Sequence, residues 1–267
     1  MRARGGCAIF LAMTLRPPQA AFLLALLTAA LLPFAAGAQT VPETAKQRYR
    51  DCMQLARSDP LNGQKEADAW IKEGGGGPAE HCRAVVDATL GRYESAAGRF
   101  EKLADSMKDS EQRARVLGQA GQAWMLAGNL DKAYEDQSRA VTLLPNDPDL
   151  LVDRSLILAS QQRYWDAIDD LNKVLDLRPD SPEALIFRAS AYRLLKVPEL
   201  AKEDITRALT LVPDHPEALL ERGLLSADTG DKEGALKDLQ KVIELAPDSP
   251  AADVARNHLA ALSASKG

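Results

Sequence analysis

Residues 182–215 read PEALIFRASAYRLLKVPELAKEDITRALTLVPDH and residues 216–249 read PEALLERGLLSADTGDKEGALKDLQKVIELAPDS. Set one above the other, they place Leu185 over Leu219, Arg188 over Arg222, Ala201 over Ala235 and Pro213 over Pro247. The same register extends upstream through residues 148–181 and 114–147, so that Pro145, Pro179, Pro213 and Pro247 stand 34 residues apart. A fixed period of this length marks a chain that stacks one small unit on the next instead of closing a single globular core.

The spacing inside each unit is helical. Gly121, Ser155, Ala189 and Gly223 share one register and Ala133, Ala167, Ala201 and Ala235 another. Small side chains at both positions are what the closest approach of two antiparallel helices requires. Gln137, Leu171, Ile205 and Leu239 follow one turn later, and Ala140, Val174, Ala208 and Val242 complete the same face. Gln137 is polar where its counterparts are apolar, so looser packing is expected there. Asp147, Ser181 and Ser249 each precede a proline suited to the first helical position, and His215 is the odd cap of the set. Gly128 and Gly230 are placed to end first helices, and Pro198 to open a second one.

This register of Leu, a small residue, Tyr or Trp, Ala and a closing Pro, as in Leu185, Ala189, Tyr192, Ala201 and Pro213, resembles the tetratricopeptide repeat. The resemblance implies an all-α fold, a right-handed superhelical solenoid of antiparallel helix pairs. The expected organisation is a signal peptide over 1–38, a helical pair and glycine-rich joint over 39–76, and a diverged repeat over 77–113. Four regular repeats follow at 114–147, 148–181, 182–215 and 216–249, with a capping helix and tail over 250–267. The segment from Leu90 to Phe100 carries the hairpin turn of the diverged unit, which lacks the closing proline.

Arg2, Arg4 and Arg16 precede the apolar run Ala20–Leu32, and Ala36, Gly37 and Ala38 make a small-residue cleavage site. Export to a periplasmic or extracellular compartment, with cleavage near Ala38, is the expectation. The apolar core is short for a membrane span of about 20 residues, so membrane attachment enters only if the segment is retained. The net charge of −5 includes those three arginines, and −5 minus 3 leaves −8 for residues 39–267. An acidic chain without a basic cluster argues against nucleic acid as partner. Cys52 and Cys82 are the cysteines beyond the signal segment. In an exported chain they read as a disulfide, the alternative being two small buried side chains. His81 beside Cys82 is no metal set, because adjacent helical residues point about 100° apart.

The usual catalytic motifs are missing from the sequence, and Gly74–Gly77 before Pro78 lacks the Lys and Ser or Thr of a phosphate loop. The reading is therefore a protein that is not an enzyme and needs no cofactor or metal. Arg154, Arg188 and Arg222 recur every 34 residues, as do Asp136, Asp170, Asp204 and Asp238. Matched periods favour an Arg–Asp ladder between helices over a row of arginines offered to an acidic ligand.

What the resemblance implies for function is a concave surface lined by first helices, along which a protein or peptide segment lies. Carried over, that surface comprises Arg115, Gln119, Gln122 and Met125; Asp149, Val152, Asp153 and Leu156; Glu183, Ile186, Phe187, Ser190 and Arg193; and Glu217, Leu220, Glu221 and Leu224. Its side chains are expected to be exposed, so polar replacements of Phe187 and Leu220 are expected to weaken capture and spare stability. Asp149, Glu183 and Glu217 lie in first turns, where a carboxylate stabilises the helix dipole and needs no ligand to explain it. The Lys and Asn set with which some family members clamp a C-terminal carboxylate is missing. The leading expectation is a scaffold for a cell-envelope protein. The alternatives are an accessory subunit of an envelope enzyme or transport machine, and a glycan or small-molecule binder with an aromatic-lined pocket.

Overall fold

The computed structural model describes residues 43–264. The expected signal segment and its cleavage site lie outside the described residues. Among the described residues the chain forms thirteen α-helices and no strand. The N-terminal pair is α1 (Glu43–Ser58) and α2 (Pro60–Lys72), and the diverged pair is α3 (Gly76–Thr89) and α4 (Tyr93–Ser106). The four regular pairs are α5 (Ser110–Leu126) with α6 (Leu130–Leu143), α7 (Pro148–Ser160) with α8 (Tyr164–Leu177), α9 (Pro182–Leu194) with α10 (Pro198–Leu211), and α11 (Pro216–Thr229) with α12 (Lys232–Leu245). A last helix, α13 (Pro250–Ala264), packs on α12 and α11. The result is an all-α solenoid in which each helix touches chiefly its neighbours in sequence.

Local chemistry accounts for the boundaries. Asp147 accepts hydrogen bonds from the amides of Asp149 and Leu150, Ser181 from that of Ala184, and Ser249 from that of Ala252. His215 makes no such cap bond; its Nδ1 lies 3.1 Å from Glu217 Oε2. Each first helix of the regular units is followed by a left-handed residue, at Gly128, Gln162, Lys196 and Gly230. Gln162 and Lys196 hold positive φ at a cost of about 1–2 kcal/mol each, which glycine avoids. The repeat thus imposes a backbone conformation on side chains that do not favour it.

The small-residue positions do what their spacing requires. A Cβ on Gly223 would come within 3.0 Å of Leu239, and one on Gly121 within 2.8 Å of Gln137. Gln137 is fully buried, with its amide nitrogen donating to the carbonyl of Leu150 at 2.9 Å. The glycine opposite makes room for this polar side chain.

Cys52 of α1 and Cys82 of α3 form a disulfide with a Cα separation of 6.2 Å. Both are buried in a small satellite core with Ala56, Ala67 and Val86, apart from the continuous core of the array. The glycine run between α2 and α3 is a tight turn, with Gly74 and Gly76 at positive φ and Gly75 pressed against Trp70.

Candidate partner-binding surface

First helices pack in succession, α1 on α3, α5 on α7, α7 on α9, α9 on α11 and α11 on α13, while α3 stands off from α5. The interval from Gly91 to the equivalent Gly128 is 37 residues against 34 elsewhere, and α5 has 17 residues where α7 and α9 have 13. The gap opens a cleft of about 730 Å³ on the first-helix face. Ala45, Lys46 and Tyr49 of α1, Pro78 and His81 of α3, Leu103 and Met107 at the end of α4, and Arg115, Val116 and Gln119 of α5 line it.

A hydrogen-bonded chain crosses the cleft floor. Tyr49 Oη and His81 Nδ1 are 2.9 Å apart, and His81 Nε2 and Gln119 Oε1 are 2.8 Å apart. Burial pushes the His81 pKa below its ordinary value, so the ring is neutral at pH 7. With both nitrogens engaged it serves as a tie between α1, α3 and α5.

Of the residues assigned to the concave surface, Arg115, Gln122, Asp149 and Glu183 are exposed, and Gln119, Met125, Val152, Asp153 and Glu217 half-buried. Leu156, Ile186, Phe187, Ser190, Arg193, Leu220, Glu221 and Leu224 are buried. These eight are not displayed to a partner, which corrects the expectation that they line an open groove. The physical reason is the packing of each first helix on the next, α7 on α9 and α9 on α11. Arg193 reaches across it to Glu221 at 2.8 Å and Asp228 at 3.2 Å, and His258 of α13 feels the same arginine. Replacing Phe187 or Leu220 by a polar residue therefore strikes the core.

The exposed part of the surface is acidic. Asp149 pairs with Arg178 at 2.7 Å, and Arg115 is shared between Glu111 at 2.9 Å and Asp147 at 3.6 Å. Burial pushes the Asp153 carboxyl up to about 7, against a hydrogen bond from Gln122 Nε2 of 2.7 Å.

The arginines of the 34-residue series pair within their own hairpins. Arg154 donates to both oxygens of Asp170, Arg188 to both of Asp204 and Arg222 to both of Asp238, at 2.6–2.8 Å. Arg188 also reaches Asn172 of the preceding hairpin at 2.7 Å. Asp136 departs from this pattern because Ala120 stands where its arginine would be. It accepts from Arg139 instead, and burial together with Glu101 raises its carboxyl to about 7. In the diverged unit the two ladder registers hold Arg83 and Arg99, and both bind the buried Asp87 one turn beyond Arg83. The missing closing proline hid that charge hub from the repeat alignment, although Arg83 and Arg99 keep the 37-residue offset of Gly91.

Residues 188–260 match the sequence profile described as tetratricopeptide repeat. No curated protein matches the chain. Among solved structures, a tetratricopeptide repeat protein from Parabacteroides merdae is similar at 16% identity and a TM-score of 0.65, over 74% of this chain and 80% of that one. Pseudomonas aeruginosa pilF is similar at 19% identity and a TM-score of 0.59, over 78% and 96%. The APC/C hetero-tetramer Cut9-Hcn1 gives 18% identity and a TM-score of 0.63 over 81% of this chain, which spans 43% of that chain's length. At these identities the likeness is one of fold. Proteins of this repeat type generally bind proteins or peptides as scaffolds without catalysis.

Proposed function

We propose that this chain, whose residues 188–260 match the tetratricopeptide repeat profile and whose fold is that of such proteins, is an exported, periplasmic scaffold that holds a segment of a cell-envelope protein on its first-helix face and carries out no chemistry itself. The observation that carries this reading is the open cleft between α3 and α5, whose Arg115 shares the first-helix register of the exposed Asp149 and Glu183. The basic and apolar leader supports export, and the disulfide between Cys52 and Cys82 suits an oxidising compartment.

Site-specific photo-crosslinking in intact cells tests the proposal. A photoreactive residue at Gln122, on the first-helix face, is expected to give a discrete envelope-protein adduct, and one at the exposed Asp169 of α8 none. Adducts from Asp169 alone would move binding to the opposite face. N-terminal sequencing of the protein from the periplasmic fraction is expected to begin at Gln39; recovery with the cytoplasm would refute export.

A further inference from the structure

The cleft between α3 and α5 has a selective chemistry. Tyr49, Leu103, Met107 and Val116 make its walls largely apolar. The polar groups at its floor already satisfy one another through the Tyr49–His81–Gln119 chain. A polar occupant would have to break those bonds, whereas an apolar one leaves them intact. The volume of about 730 Å³ falls in the range that encloses a compact ligand. The wall supplied by α1 is fixed to α3 by the Cys52–Cys82 bridge, so the cleft exists before anything binds and little ordering has to accompany binding.

Beyond the cleft the same face carries Asp153, Glu183 and Asp149, the last paired with Arg178. Of the two cations that line the cleft, Lys46 and Arg115, the second is held between Glu111 and Asp147. A cation brought alongside Asp153 would favour the ionised carboxylate that burial now disfavours.

We infer that this cleft is the anchor site for a partner peptide carrying a cluster of large apolar side chains next to lysine or arginine, the apolar cluster entering between α3 and α5 and the cations lying over Asp149, Asp153 and Glu183. The inference rests on the reading of the first-helix face as the partner-binding surface, and adds the anchor position and the chemistry of the bound segment.

Selection of a random dodecapeptide phage library on the purified, disulfide-intact protein tests it, followed by fluorescence anisotropy with the enriched peptide. The expected sequences combine an apolar cluster with adjacent basic residues. Ala45→Trp, which fills the cleft from α1, is expected to weaken the enriched peptide by at least about tenfold, while helicity and the urea midpoint stay unchanged. Glu183→Lys is expected to weaken it by a smaller factor that shrinks as salt is raised. Enrichment of acidic peptides, enrichment of none, or equal binding to Ala45→Trp overturns the inference. If Ala45→Trp binds normally while Glu183→Lys does not, the first-helix surface stands and only the anchor is lost. If neither change matters to a peptide that does bind, the surface itself is refuted. Should Ala45→Trp disturb the fold, Ser106→Trp, from the end of α4, fills the same cleft and decides the question.

Discussion

The junction between α3 and α5 and the junction between α9 and α11 use equivalent first-helix positions and come out opposite. His81 occupies the register of Ile186 and Leu220, and Gln119 that of Glu221. At the C-terminal junction the helices are in contact, Ile186 and Leu220 fill the space, and Arg193 with Glu221 locks it. At the N-terminal junction the helices stand apart, and one histidine spans the gap by hydrogen bonds. Register tells which side chains face the groove. The separation of the helices decides whether anything can reach them.

Converting Leu220 to Asp should have the largest effect, because it places an unpaired carboxylate in a fully buried position. The expected loss is at least about 4 kcal/mol in urea unfolding. An unaltered midpoint would mean that the C-terminal junction is open in solution.

Reduction of Cys52–Cys82 is the matching test at the other end. The bridge closes a loop with a sequence separation of 30, whose entropy in the unfolded chain is worth roughly 3–4 kcal/mol. Hydrogen exchange is expected to rise first in residues 43–106 and to leave α7 through α12 protected. Uniform acceleration along the chain would show that the two ends unfold as one unit.

A finer contrast lies within the ladder. The side chain of Arg188 is 19% exposed against an Asp204 at 5%, whereas Arg222 is 46% exposed. Asp238 is as buried as Asp204, so the contrast rests on the arginine: Arg188→Ala is expected to cost about 3 kcal/mol by stranding a carboxylate, and Arg222→Ala less, because water reaches that pair more easily. Equal losses would remove burial as the reason.

A pH-dependent contrast comes from the missing rung. Asp136 titrates at about 7 in the fold and near 3.9 when unfolded, so the folded state holds a proton that the unfolded state releases. Its contribution to stability is present below about pH 4 and is lost as the pH rises through about 7. Asp136→Asn, which has no proton to lose, should therefore gain on the parent as the pH rises from about 4 to about 7 and differ from it least below about pH 4, as urea midpoints measured at pH 4 and pH 8 would show. A difference independent of pH would assign the effect to packing.

Much of the fold was legible in the chain because a repeat states its own geometry several times. Pro145 to Pro247, the alanines from Ala133 to Ala235 and the caps at Asp147, Ser181 and Ser249 each name the same boundary in successive units. The surface was less legible. The burial of Phe187, Leu220 and Glu221 depends on how far α9 lies from α11, and no residue of either helix encodes that distance by itself. The place of Gln137 likewise depends on Gly121 of the facing helix.

By itself the sequence determined the helix pairs, their order, the small positions where they meet and the pairing of the ladder arginines with the aspartates of the same register, because local spacing and capping act within one unit. Tertiary structure alone decided which first-helix residues are open. The three surplus residues between Gly91 and Gly128 accompany helices that stand apart, and a cleft forms where the regular period brings neighbours into contact.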